Sequence, residues 1–282
     1  TEPAVAGCAG CGVTRTLEPT VGMVALALWD LCELRFYLAR DPFVEKPLYY
    51  GWTKDAFVFG SELVALRRSP GFDNPIDADS LSLYLQYCCV PAPYSIYRDI
   101  YKLEPGCVLS LGLQDAASSP SQAMRAPARH AGLTPDREWS LADLAQRGLA
   151  SPIEDEREAT DRLESALAEA VRLQSIADVP LGAFLSGGID SSAIVALMQA
   201  QSSRQVKTFT IGFDEPGFND AQHPKAVAHH LGHAHAEQHV PPSPATDTTP
   251  PLPAVYPAPR AARTPTPPPR ASQTAAAPHH RP

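Results

Sequence analysis

Residues Leu185-Ser186-Gly187-Gly188-Ile189-Asp190-Ser191-Ser192 constrain this chain more than any other stretch. An apolar run, Val179 to Phe184, leads into them, and Ala193 to Met198 leads away. That order predicts a buried strand, a tight glycine turn and then a helix. Adjacent glycines admit backbone angles closed to other residues and let N–H groups approach a ligand. The first helical turn adds unpaired N–H donors and the positive end of the helix dipole. Ser186, Ser191 and Ser192 add hydroxyls. Together these groups form a cradle for phosphate or pyrophosphate. The plain alternative is an ordinary strand–turn–helix with a serine-rich cap. The loop is not the Gly-x-x-x-x-Gly-Lys-Ser/Thr type, because no Lys lies near it. Asp190 would repel a phosphate unless Mg²⁺ intervenes, so a metal–nucleotide complex is the expected ligand.

The rest of the chain has room for one large or two modest domains at 282 residues. A 44% hydrophobic and 19% charged composition is globular, and a net charge of −8 leaves no general nucleic-acid footprint. The longest apolar run near the start, Val21 to Trp29, is too short to span a bilayer. Thr1 to Thr20 lacks the basic start and apolar core of a secretory signal. The expectation is therefore a cytoplasmic protein with neither a nucleic-acid nor a membrane partner. Without an initiator Met, the chain reads as processed or as a fragment. Six cysteines are too few for a disulfide scaffold, and the lone Cys8-x-x-Cys11 lacks the second pair of a metal site.

Residues 1–20 show no periodicity and read as an unstructured lead. Val21–Trp29, Leu34–Leu38, Pro47–Trp52 and Ala56–Gly60 read as an antiparallel meander of short strands. Ser61-Glu62-Leu63 opens a short helix through Arg67. Asp77 caps another that ends before Pro91, and Cys107–Leu113 is a further strand. Residues 115–136, rich in Ala, Ser and Pro, read as a linker. Helices follow at Trp139–Gly148 and Glu154–Ile176, the second with Leu163, Leu167, Ala170, Val171 and Gln174 on one face. After the glycine loop and its helix, Val206–Gly212 is a strand and Asp220–Leu231 a helix. This alternation predicts an α/β unit with a parallel sheet, whose ligands bind at the carboxyl ends of the strands. Six histidines crowd residues 223–239; His229 and His233 lie one helical turn apart, but no carboxylate is placed as a third zinc ligand. Residues 241–282 hold 14 of the 30 prolines and read as a disordered tail. Its Pro265-Thr266-Pro267-Pro268-Pro269-Arg270 fits a Pro-x-x-Pro-x-Arg motif that such composition readily generates.

The loop Ser186-Gly187-Gly188-Ile189-Asp190-Ser191-Ser192 resembles the pyrophosphate loop of the ATP pyrophosphatase superfamily, which includes asparagine, GMP, NAD and argininosuccinate synthetases. A second resemblance chooses among them. Gly22 to Asp30, Ala39-Arg40-Asp41, Lys46 to Tyr50, Phe57 to Glu62, Val90 to Tyr97 and Lys102 to Gly106 are similar, in order, to glutamine-hydrolysing asparagine synthetases. The resemblance implies an α+β partial glutaminase sandwich followed by an α/β parallel-sheet ATP pyrophosphatase domain (adenine nucleotide alpha hydrolase-like). The expected division is an unstructured lead at 1–20, a partial glutaminase (amidotransferase type 2) domain at 21–113 and a linker at 114–137. A partial ATP-binding domain at 138–240 and the tail at 241–282 complete it.

By resemblance, Leu185, Ser186, Gly187, Gly188, Asp190, Ser191 and Ser192 hold the pyrophosphate of ATP, Ile211 packs on adenine, and Asp190 meets Mg²⁺ through the pyrophosphate. The implied activity is ATP-dependent amidation of aspartate via β-aspartyl-AMP, with ammonia from glutamine, in a homodimer. Cys11-Gly12-Val13 resembles the family's nucleophile start, but only 21 residues precede Gly22, leaving no room for the glutamine-binding segments. Leu252 to Ala262 keeps the frame of a family motif whose acidic positions here are Pro257, Ala258 and Ala262. The resemblance thus implies a chain truncated at both ends. Two other readings remain open: an inactive fragment or decayed gene product retaining at most nucleotide binding, and an amide ligase for another carboxylate.

Overall fold

The structure is a computed structural model; it describes residues 7–8, 10, 12–17, 20–130, 132–213 and 222–240. The tail and Cys11 lie outside the described residues, as do the side chains of Phe213, Gln222, His239 and Val240. The chain divides after Ser151 into two compact units.

In chain order the first unit contains α1 (Val13–Leu17), β1 (Ala25–Asp30), β2 (Arg35–Arg40), β3 (Tyr49–Trp52) and β4 (Phe57–Gly60). Then come α2 (Leu63–Arg67), α3 (Ala78–Tyr87), β5 (Ile100–Lys102), β6 (Cys107–Gly112), β7 (Thr134–Arg137) and α4 (Leu141–Ala150). The strands are all antiparallel but form two sheets, β1-β2-β6-β7 and β4-β3-β5, rather than one meander. The reason is burial. Leu38, Leu109 and Leu111 on one sheet and Tyr50, Trp52 and Tyr101 on the other pack into one core cluster, whereas a single layer would leave both stripes wet. The alternation of β6 shows the layering: Cys107, Leu109 and Leu111 join that cluster, while Val108 points the other way.

Two segments without periodicity are nonetheless built in. The lead supplies α1, and Cys8 and Val13 are buried against Ala39 and Val108 on the outer face of the first sheet. The segment expected to be a linker supplies β7, paired with β6 at Leu109–Pro135, and buries Met124 and Leu133 in the main core. A single carboxylate ties it down. Glu104, 8% exposed, accepts from Ala126 N–H at 2.9 Å and pairs with Arg137 at 3.0 Å and Arg125 at 3.3 Å. The Trp52 indole also donates to Ala116 O at 2.7 Å. Such contacts span many residues and leave no local period to read. Helix α3 starts as expected, with the Asp77 side chain accepting from Ser80 N–H at 3.0 Å. Glu62 makes no such side-chain bond at the start of α2.

The second unit contains α5 (Glu156–Gln174), β8 (Gly182–Phe184), α6 (Ile189–Ala200), β9 (Lys207–Phe213), α7 (Gln222–His230) and β10 (Ala234–Val240). Its sheet is parallel, in the order β10-β9-β8. Leu185, Val195 and Ala228 form its small core, with Ala183 and Val227 beside them. Among the described residues, the run expected as a buried strand is an edge instead: β8 pairs only with β9, and Phe184 is 47% exposed. Likewise, of the apolar face expected on α5, only Val171 is fully buried. Among the described residues, no helix is long and apolar enough to cross a membrane.

Candidate functional site

The loop between β8 and α6 lies at the carboxyl end of the parallel sheet, where strand dipoles and helix starts converge. Its entrance is fixed from both sides. Leu185, 1% exposed, donates its N–H to Phe209 O at 3.0 Å and accepts from the Thr210 hydroxyl at 2.5 Å. Ser186 then turns away from the sheet and meets Ser191 across the loop, the two hydroxyls 2.9 Å apart. The Ser186 N–H donates to the Ser191 hydroxyl at 3.3 Å, and the Gly188 N–H to the Ser186 hydroxyl at 3.4 Å. The Ser191 hydroxyl donates in turn to Gly188 O at 3.2 Å. These bonds close the turn without spending its other donors. Among the described residues, the N–H groups of Gly187, Ile189, Asp190 and Ser191 make no hydrogen bond. Four uncommitted amides, interrupted only by that of Gly188, at a helix start are an anion site in waiting.

The two glycines differ in role. Gly187 has φ +78°, and a Cβ there would lie 2.8 Å from both His223 Cβ and Pro224 Cδ. Gly188 is extended, with φ −73° and ψ 162°, and only the Ser186 hydroxyl, at 3.5 Å, would meet its Cβ. The first is required by the fold. The second leaves open space in front of the amides, which suits close approach of a ligand.

Asp190 is exposed in the first turn of α6 and makes no hydrogen bond or ion pair among the described residues. Ser192 points its hydroxyl inward, where it is buried without a partner. Ile211 is half-buried and lies two residues beyond Phe209, which pairs with Phe184. That register sets Ile211 level with Ser186, just past the end of β8. The structure therefore brings together Leu185, Ser186, Gly187, Gly188, Asp190, Ser191, Ser192 and Ile211. Sequence reading missed Thr210 and His223, which hold the loop from β9 and α7. The Thr-x-Thr spacing in β9 signals one shared face; nothing local signals His223, which is distant in sequence.

The histidines separate. His229 and His230 are exposed at the end of α7, and His233 lies beyond that helix, so His229 and His233 do not share a helical face. No group of three metal-ligating side chains occurs among the described residues. Instead His235 Nδ1 lies 2.9 Å from the Thr208 hydroxyl, and its Nε2 is 3.6 Å from Glu237, which also meets Lys225 at 3.6 Å. Burial lowers the pKa of His235 against the opposing pull of Glu237, and lowers that of His233 with help from His235. Cys8 is a core residue, and burial pushes the Cys107 thiol up to about 11, which keeps it protonated.

Comparison with known proteins follows the same division. Residues 1–122 match the glutamine amidotransferase domain family, and residues 162–280 match the asparagine synthase family. A putative glutamine-hydrolysing asparagine synthetase of Mycobacterium tuberculosis is 34% identical over 79% of this chain and 32% of its own length. Glutamine-hydrolysing asparagine synthetase 1 of Bacillus subtilis is 30% identical over 75% of this chain and 30% of its own. A putative second enzyme of Methanocaldococcus jannaschii is 32% identical over 68% of this chain and 34% of its own. The chain thus spans about a third of the length of these curated relatives. Both family matches, in this order, and the relatives that share them show that the chain belongs to the glutamine-hydrolysing asparagine synthetase family.

Proposed function

We propose that the Leu185–Ser192 loop binds MgATP and that this chain serves the ATP-dependent amidation of aspartate to asparagine, with ammonia drawn from glutamine. The observation that supports it most directly is the set of uncommitted amides of Gly187, Ile189, Asp190 and Ser191 at the carboxyl end of a parallel sheet. Its setting in a chain matched by both families narrows the chemistry. In this reading the first unit is part of a glutaminase, the second part of a synthetase, and the assembly is a cytoplasmic homodimer. No glutaminase nucleophile is assigned to the first unit.

The β-carboxylate of aspartate attacks the α-phosphorus of ATP, giving β-aspartyl-AMP and pyrophosphate; ammonia then displaces AMP. The loop acts on the leaving group. Its uncommitted amides are already in place and face charge that grows on the departing pyrophosphate, so they need no reorganisation during reaction. The Ser186 and Ser191 hydroxyls would first have to leave the bonds they make within the loop. One such donor is worth about a hundredfold in rate or more. The residues fit Mg²⁺: Asp190 offers one unpaired carboxylate beside the amides, and Mg²⁺ is commonly held by one or two carboxylates plus substrate phosphates. When bound, the ion neutralises phosphate charge that Asp190 would otherwise repel. Ile211, half-buried in β9 just past the end of β8, offers an apolar surface for the adenine ring.

The test is pyrophosphate release from MgATP supplied with aspartate and ammonia, which bypasses the glutaminase. Release above background is expected; no release together with no MgATP-induced thermal shift would sink the reading. A second reading, a chain that binds nucleotide without turning it over, is favoured by one specific feature. The family's acidic positions are Pro257, Ala258 and Ala262 here. It predicts the thermal shift without the release.

A further inference from the structure

We infer that His223 completes the pyrophosphate cradle, donating a hydrogen bond from its imidazole to the anion held by the Gly187–Ser191 amides. This inference rests on the proposal that the loop binds pyrophosphate, and adds a residue from outside the loop motif. It begins with a contact. His223 in the first turn of α7 comes so close to Gly187 that a Cβ on the glycine would lie 2.8 Å from His223 Cβ. The root of the imidazole is therefore held against the turn whose amides are uncommitted. The ring is thus rooted beside the loop, and its two χ angles set how its nitrogens face those amides.

Three further observations select the ring for this task. His223 is exposed, so core packing does not spend its imidazole. Among the described residues it makes no hydrogen bond or ion pair, which leaves both nitrogens available and its χ angles free to choose a staggered rotamer toward a ligand. The loop itself also lacks a cation. From Leu185 to Ser192 the one charged side chain is Asp190, which is negative. A pyrophosphate settling there gains from a side-chain donor, which the imidazole N–H supplies. The Ser186 and Ser191 hydroxyls are engaged with each other, so His223 adds a side-chain donor that the motif does not supply.

The purely structural alternative is that His223 only presses on Gly187. His223→Ala separates the two roles, because it keeps the Cβ that makes the contact and removes only the ring. The measurement is calorimetric binding of inorganic pyrophosphate with Mg²⁺ to the full chain, comparing wild type with His223→Ala, His223→Gln and Ser186→Ala. Loss of one hydrogen bond to a charged group predicts about tenfold weaker binding for His223→Ala. Unchanged melting is expected beside it, with most of the affinity restored in His223→Gln. If His223→Ala binds like wild type while Ser186→Ala is weakened, the inference fails and the loop reading stands. A Gln variant as weak as the Ala variant also overturns the donor role. If wild type does not bind, or Ser186→Ala changes nothing, the loop reading falls and the His223 inference falls with it.

Discussion

Gly187 and Gly188 are neighbours of the same type, yet substitution should separate them cleanly. Gly187→Ala places an L-residue at φ +78° and a Cβ against His223 and Pro224. The left-handed angle alone costs about 1–2 kcal/mol, and overpacking adds to it, so both melting temperature and MgATP binding should fall. Gly188→Ala meets only ordinary contact and an extended backbone. It should melt within about 0.5 kcal/mol of wild type while weakening MgATP binding, because its methyl intrudes on the ligand's space. A calorimetric melt and a nucleotide titration on each variant check the pair. Glu104 makes a second residue-scale case. Removing a buried carboxylate that holds Arg125, Arg137 and the Ala126 amide leaves those groups unmatched. Glu104→Ala is expected to destabilise the first unit by about 3 kcal/mol in denaturant unfolding. The glycine pair was legible from sequence as a turn. Which glycine the fold demands was not, because that depends on α7 arriving over Gly187.

Elements behave as their local signals indicate where those signals are self-contained. Asp77 reads as a cap and acts as one, so Asp77→Ala should cost about 1 kcal/mol of stability. Helices α5, α6 and α7 and strand β9 appear near their expected places because each carries its own period or cap. Strand β7 does not, since Thr134-Pro135-Asp136-Arg137 has no strand-like composition and is recruited by pairing with β6 and by Glu104. Strand β10 carries a pH dependence. His233 and His235 have folded-state pKa values lowered chiefly by burial, so the unfolded chain binds more protons than the folded one below the ordinary histidine value of about 6.5. The stability of the second unit should therefore be full above that pH and decline as pH falls beneath it. Melting at pH 5.5 and 7.5 tests this. His235→Gln, which keeps a polar group beside Thr208 but cannot titrate, should flatten the difference; an equal slope in the variant would refute the assignment.

At the scale of the molecule, the chain holds two units with separate cores: a two-sheet sandwich filled by Leu38, Tyr50, Trp52, Leu109 and Leu111, and a smaller α/β core around Leu185, Val195 and Ala228. Independent cores unfold independently, so scanning calorimetry should resolve two transitions, with Mg²⁺–pyrophosphate raising only the one that belongs to the second unit. A single transition raised as a whole would contradict that division. By itself the sequence determined the strand–loop–helix of residues 185–192, the antiparallel and parallel character of the two halves, and the family, because these reside in short contiguous runs of residues. Tertiary structure alone decided that the antiparallel strands split into two layers, that the lead and the supposed linker pack as core, that β8 is a sheet edge, and that His223 and Thr210 flank the loop. Each of those outcomes depends on which distant surfaces bury one another, and burial across the chain leaves no mark on the local pattern.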